Sequence, residues 1–250
     1  MVSIGRVDPQ QAASDPASTG ASAAFVIGAG PGIGTAAARR FGRAGMPLGL
    51  VARSEATLDQ ARAALSPVAV PTVTVRGDAG DKDQLTGALD HLVAELGVPG
   101  VVVYNAAVVE GDRIFDLDHA TRQARYAVNV LGALTTMAKV APLMADNGGG
   151  TILVTGGMPH PNQYVVSLSI DKAGLRAAVQ VVADQFSDRG VHVTCVSIGG
   201  RVAPGSSFDP DQIAEEYWRI YGQPRDQWQP DLTYKGSPQA AAPGRPPAPH

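Results

Sequence analysis

Residues 23–43 read AAFVIGAGPGIGTAAARRFGR, and this stretch decides the fold. The apolar run Ala23 to Ile27 ends in Gly28-Ala29-Gly30-Pro31-Gly32-Ile33-Gly34, and an alanine-rich run with two adjacent arginines follows. Strand, glycine turn and helix are the order needed to hold a phosphate. Glycine lets backbone come close to an anion, and a helix N-terminus supplies unpaired N–H groups and the positive end of its dipole. Gly28, Gly32 and Gly34 give the spacing G-x3-G-x-G. The commoner dinucleotide fingerprint, G-x-G-x-x-G, requires a glycine where Ile33 stands.

Outward from this turn, strands and helices alternate. Residues 47–51 (PLGLV) read as a second strand, and residues 55–65 carry helical spacing at Leu58, Ala61 and Leu65. Residues 70–75 are rich in β-branched side chains and read as a third strand. Residues 81–96 form a helix with Asp81 as its cap. Residues 101–104 (VVVY) are wholly apolar, as suits a strand covered on both faces. A long helix is expected over 121–145, with Asn129 inside an apolar run, and Gly148-Gly149-Gly150 ends it. Residues 151–155 give strand five, 167–189 a long helix, 191–198 strand six, and 210–221 an amphipathic helix. A short last strand is expected at 232–234.

This alternation predicts one α/β domain, a single doubly wound parallel-sheet (Rossmann-type) domain over residues 21–236. Residues 1–20 read as a loose arm, and residues 237–250, rich in Pro and Ala, as a disordered tail. Ligands of such sheets bind at the C-terminal strand ends. The glycine turn, Arg53, Asp78, Asn105, Thr155 and Gly199 all fall there.

Composition narrows the function. The chain has 250 residues, 44% hydrophobic and 17% charged, with a net charge of −3. It has no basic footprint for nucleic acid. No apolar run approaches the ~20 residues of a membrane span, and no secretory signal pattern opens the chain. Cys195, the single cysteine, lies in an apolar run and reads as a buried core residue. Cytoplasmic localisation is the expectation. The five histidines lack metal-ligand spacing, so no metal site is expected.

Between about Ala23 and Gly199 the sequence resembles the short-chain dehydrogenase/reductase family, with a weaker echo at Tyr234–Gly236. Gly28-x3-Gly32-Ile33-Gly34 matches that family's cofactor turn, and Gly30 lies within it. Asp78-Ala79 resembles the Asp-aliphatic pair that holds the adenine. Asn105-Ala106-Ala107 resembles the Asn-Asn-Ala-Gly strand end, with Tyr104 for the first Asn and Ala107 for the Gly. Asn129 matches the asparagine that orders a relay water, and Lys172 the lysine of Tyr-x-x-x-Lys. Ser197-Ile198-Gly199 resembles the segment beside the nicotinamide, with Ile198 for Pro. The resemblance implies a homodimer or homotetramer, paired through the two long helices.

Two departures stand out. Leu168 occupies the place of the tyrosine, four residues before Lys172. Gly156 is taken as the equivalent of the serine that ends strand five. Carbonyl reduction needs a proton donor beside the hydride donor. Tyr164 could replace the phenol if the helix began early, and would otherwise pack ahead of it. Ser167 and Ser169 flank the vacant place, but an unaided serine is a poor acid. Thr155 offers a hydroxyl beside the expected serine, or simply ends a strand. His160 titrates in the useful range but lies in a Pro-flanked loop.

An NAD site places an acidic residue at the end of strand two. Here the strand ends Val51-Ala52-Arg53-Ser54. The guanidinium of Arg53 suits a 2′-phosphate, so NADP(H) is the expected cofactor. Arg39 and Arg40 could assist, or lie solvated on their helix. Tyr217, Trp218 and Tyr221 could wall an apolar substrate or pack their helix onto the domain. The first reading is an NADP(H)-dependent oxidoreductase that moves hydride between nicotinamide and a C=O, C=N or activated C=C of a small organic molecule. Lys172, Asn129, Thr155 and Tyr164 are its catalytic candidates. The alternative is a non-redox cyclase or isomerase, or a cofactor-binding regulatory protein.

Overall fold

The structure is a computed structural model that describes residues 22–237. The arm expected over residues 1–20 lies outside these residues. So does the expected tail, except for Ser237, whose N–H donates to the Ser207 carbonyl at 2.8 Å.

Seven strands form one parallel sheet: β1 (Ala24–Ile27), β2 (Leu48–Ala52), β3 (Thr72–Arg76), β4 (Val101–Tyr104), β5 (Gly150–Gly157), β6 (Val191–Ile198) and β7 (Asp231–Tyr234). Their order is β3-β2-β1-β4-β5-β6-β7. The order reverses between β1 and β4, so helices leave those two strands toward opposite faces and a crevice opens between their ends.

The strand pleat sorts side chains into two cores. Phe25, Ile27, Val102, Tyr104, Val154 and Cys195 face one side. There they meet α3 (Lys82–Leu96), α5 (Gly132–Asp146) and α6 (Val166–Phe186). Val26, Leu50, Val103, Leu153 and Val196 face the other side. There they meet α1 (Ile33–Arg43), α2 (Glu55–Leu65) and α7 (Pro210–Tyr221). Because every central strand is covered on both faces, its apolar run is nearly unbroken.

The caps follow local chemistry. Ser54 accepts from Thr57 N at the start of α2, and Asp81 accepts from Asp83 N and Gln84 N at the start of α3. The helix expected over 121–145 is three segments: α4 (His119–Tyr126), a π-helical turn (Ala127–Leu131) and α5. Continuous from His119 to Asp146, it has the length and mean hydropathy, 1.3, of a membrane span. Half of that apolar window is buried inside the fold, where it packs on the sheet.

The aromatic residues of α7 pack their helix onto the domain. Tyr217 is fully buried. Trp218 and Tyr221 lie edge-on to Phe41 of α1 at 5.7 and 5.8 Å. Arg39 and Arg40 turn to the same helix, pairing with Asp211 and Glu215. They serve the α1–α7 contact and are not free for a cofactor phosphate.

Candidate functional site

The glycine turn is built for close backbone approach. Gly28 has φ +88°, and a Cβ there would lie 2.5 Å from Ala106 N. A Cβ at Gly34 would lie 2.2 Å from the Gly28 carbonyl oxygen. Gly32, with φ +100°, is the N-cap of α1 and has no side chain to satisfy the helix N–H groups. The first turn of α1 carries no acidic residue. Thr35 donates its hydroxyl to the Gly30 carbonyl at 2.9 Å and fixes the loop from inside. The result is a bare helix N-terminus behind a loop with no side chains in the way, the arrangement that accepts a phosphate.

Around it lies a cleft of about 850 Å³. Gly28 and Gly30 line one part, Arg53 and Ser54 the end of β2, Asp78 and Ala79 the end of β3, and Asn105, Ala106 and Ala107 the end of β4. These residues are far apart in sequence, and the parallel strands bring their C-terminal ends together. Asn105 acts on the turn: its Nδ2 donates to the Gly28 carbonyl at 3.0 Å. Asp78 accepts from Gly80 N at 2.8 Å. Ile33 contributes its place as the first residue of α1 and packs in the core beneath. The donors, the glycine cradle and the volume of the cleft fit a dinucleotide.

The catalytic candidates do not assemble as the sequence suggested. Lys172 is buried, and its Nζ donates to the Thr155 carbonyl at 2.8 Å. Burial pushes its amine down to about 8. The Asn129 side chain is engaged by Val108 and Asp171. Its Oδ1 accepts from Val108 N at 2.8 Å, and its Nδ2 donates to Asp171 Oδ2 at 2.8 Å. Thr155 shares a hydrogen bond of 2.8 Å with the Tyr217 hydroxyl, on the sheet face opposite α6. Its hydroxyl is therefore engaged with α7.

Helix α6 begins at Val166, so Tyr164 lies in the turn ahead of it and is more than half exposed. It is not carried onto the face of Lys172; Arg113 stacks over its ring at 5.5 Å. Ser167 gives its N–H and hydroxyl to Asp112, and Ser169 bonds the Val165 carbonyl at 2.8 Å. Gly156 also has a packing reason: a Cβ there would come within 2.6 Å of Cys195 Sγ. Burial pushes the Cys195 thiol up to about 11, which leaves it inert. Gly199 lies in recesses beyond the main cleft, beside Pro159 and His160.

The sequence reading missed a buried polar group behind the cleft. Arg125 of α4 lines the cleft and pairs with Glu110 at 2.6 Å and Asp112 at 3.4 Å. Asp112 holds the start of α6 through Ser167. Asp171 is buried beside them, its carboxyl raised by that burial. No motif marks these residues; the only cue was Asp171 adjoining Lys172. Among the described residues no cluster of metal-binding side chains occurs.

The family described as short chain dehydrogenase matches residues 22–206. The chain belongs to the short-chain dehydrogenase family.

Its members are oxidoreductases that bind a nicotinamide cofactor, in keeping with the glycine cradle. A glucose 1-dehydrogenase of Gluconobacter oxydans is 29% identical over 197 residues, spanning 75% of this chain and 73% of that one. Among solved structures, a metagenomic short-chain oxidoreductase in complex with NADP superposes with a TM-score of 0.79 at 23% identity, covering 88% of this chain and 100% of that one. The L-sorbose reductase of Gluconobacter frateurii, complexed with NADPH and L-sorbose, gives 0.80 at 18% identity, covering 86% and 95%. At these identities the superpositions establish the Rossmann-type fold.

Proposed function

We propose that this short-chain dehydrogenase is an NADP(H)-dependent oxidoreductase of atypical mechanism. It moves hydride between the nicotinamide and a C=O, C=N or activated C=C of a small organic substrate. The observation that carries the cofactor choice is Arg53, which lines the cleft directly after Ala52 at the end of β2. An NAD site wants a carboxylate at that strand end to hold the ribose hydroxyls. Ala52 provides none, and a guanidinium beside it complements a 2′-phosphate. Two fold neighbours whose structures contain NADP or NADPH accord with this choice.

The bound cofactor would supply the hydride. The chain would hold it: Gly28, Gly30, Gly32 and Gly34 at the pyrophosphate, Arg53 at the 2′-phosphate, and Asp78 and Ala79 at the adenine. Leu168 and Gly156 stand where the family resemblance expects the tyrosine and the strand-end serine. A substrate whose reduction leans little on enzyme-donated protons, such as an iminium or enone, suits this better than a plain ketone. The chain is further proposed to work in the cytoplasm as a homodimer or homotetramer, without nucleic-acid or membrane partners.

One observation favours a second reading. Lys172 Nζ is tied to the Thr155 carbonyl and Asn129 to Asp171, so the relay pair is engaged elsewhere. A cyclase, an isomerase or a cofactor-binding regulatory protein needs no such relay. Titration with NADPH and NADH decides the cofactor, and tighter NADH binding would defeat the argument from Arg53. Turnover of a ketone, imine and enone panel, with and without NADPH, separates the two readings: activity without cofactor supports the second.

A further inference from the structure

We propose that a recess on the α6 side of the β6–β7 edge is a binding site for a small carboxylate. The recess holds about 540 Å³ and opens beside the end of β6, apart from the dinucleotide cleft. Arg176 of α6 forms one wall, Asp231 and Lys235 from β7 and its end the other, and His160 from the β5–α6 loop stands at the rim. Arg176 lies one helical turn beyond Lys172, so it projects on the sheet-facing side of α6.

Three features point to an anionic ligand. Arg176 is oriented without being neutralised: its Nη1 donates to the Gly157 and Met158 carbonyls at 3.2 and 3.3 Å. Among the described residues neither Arg176, Lys235 nor Asp231 takes part in an ion pair. Two cations facing one carboxylate leave an excess of one positive charge. That suits a monoanionic carboxylate better than a phosphate, which carries close to two negative charges at neutral pH.

The third feature is Ser197. It lines the recess, is only 1% exposed, and its hydroxyl has no nitrogen or oxygen partner among the described residues, only the Cys195 thiol beside it. Buried hydroxyls are seldom left unpaired. Glycine at 156, the register partner of Ser197, makes room for it: a Cβ there would lie 2.9 Å from Ser197 Oγ. A carboxylate set between Arg176 and Lys235 would also satisfy this donor. The rest of such a ligand has a path outward, because an adjoining recess lined by Tyr164 and Ile198 shares Pro159, His160 and Gly199.

Calorimetric titration of the full-length protein with acetate, lactate and phosphate, at low salt and without dinucleotide, tests this site. Lys235→Gln lies near the chain's outer edge and should not disturb folding; it is expected to weaken carboxylate binding about tenfold, whereas Asp231→Asn tightens it a few-fold by removing the opposing charge. Absence of saturable carboxylate binding overturns the assignment. Binding indifferent to both substitutions does the same. Phosphate bound more tightly than acetate or lactate overturns the choice of carboxylate. Since no dinucleotide is present, failure here leaves the cofactor proposal standing, and failure of NADPH to bind leaves this one standing.

Discussion

Asn129 and Asp171 meet side chain to side chain, Nδ2 to Oδ2 at 2.8 Å, between the π-helical turn and α6. Both are nearly inaccessible to solvent. The π-turn rotates Asn129 inward; such turns concentrate at functional sites. Asn129 also accepts from Val108 N, so one side chain ties the wall of the cleft to the helix that carries Lys172. The residue beside the lysine thereby becomes part of the architecture behind the cleft.

Asp171 has a carboxyl raised by burial, with the Asn129 hydrogen bond and Lys172 opposing that shift. The folded chain holds its proton at a pH where the unfolded chain has released it. Its contribution to stability is therefore full below the ordinary carboxylate value of 3.8 and declines as pH rises through the folded value. Asp171→Asn keeps an acceptor for Asn129 and cannot ionise. In urea unfolding, the stability of the variant relative to the parent should rise with pH across the acid range; a flat difference would contradict this.

Lys172 gives a second titration, in the alkaline range. Its amine is about 8 when folded against 10.5 when free. Between those values the unfolded chain binds more protons, so stability should rise with pH, by up to about 3 kcal/mol. Lys172→Met, which cannot titrate, should lack this rise. Denaturation midpoints of both proteins from pH 7 to 10 measure it, and parallel curves would show that the amine is not held neutral.

The glycine turn separates positions that need glycine from those that tolerate more. Gly28 combines φ +88° with a backbone atom 2.5 Å from any Cβ, and Gly34 would press on the Gly28 carbonyl. Gly30 has only Thr57 Cγ2 within reach, at 3.8 Å. Gly28→Ala and Gly34→Ala should each destabilise the fold by about 2 kcal/mol or more. Gly30→Ala should keep its melting temperature within a few degrees of the parent, as calorimetric scans would record.

The cofactor argument has its own variant. Arg53→Asp removes the guanidinium and places a carboxylate at the end of β2. NADPH binding should weaken by about 10- to 100-fold, a loss of 1.5–3 kcal/mol for a charge-assisted pair. NADH binding should hold or improve. Fluorescence titration with both nucleotides reads the switch, and an unchanged ratio of affinities would remove Arg53 from the site.

Much of this was legible in the chain. Apolar strands and the G-x3-G-x-G turn depend on local rules, so β4, β6, α2 and α7 fall where periodicity placed them. The gathering of Gly28, Arg53, Asp78 and Asn105 around one cleft was legible too, since a parallel sheet gathers its strand ends. The catalytic candidates were not. Tyr164 depended on where α6 begins, which Asp112 settles from 55 residues away through Ser167. Thr155 depended on which face of β5 it presents, and Asn129 on a π-turn that shifts register within a helix. Pairings of this kind are tertiary, and no short motif encodes them.

Thr155 and Tyr217 supply the last test. Their hydroxyls share a bond of 2.8 Å beneath α7, and Tyr217 is fully buried. If Thr155 is structural, Thr155→Val strands the tyrosine hydroxyl and should cost about 1–3 kcal/mol. Tyr217→Phe should cost a similar amount. The double variant should cost less than the two together, because two apolar groups then face each other without an orphan. Urea unfolding of all four proteins gives the coupling energy. Additive losses would mean that the hydroxyls do not depend on each other, and would reopen Thr155 to a role in the chemistry.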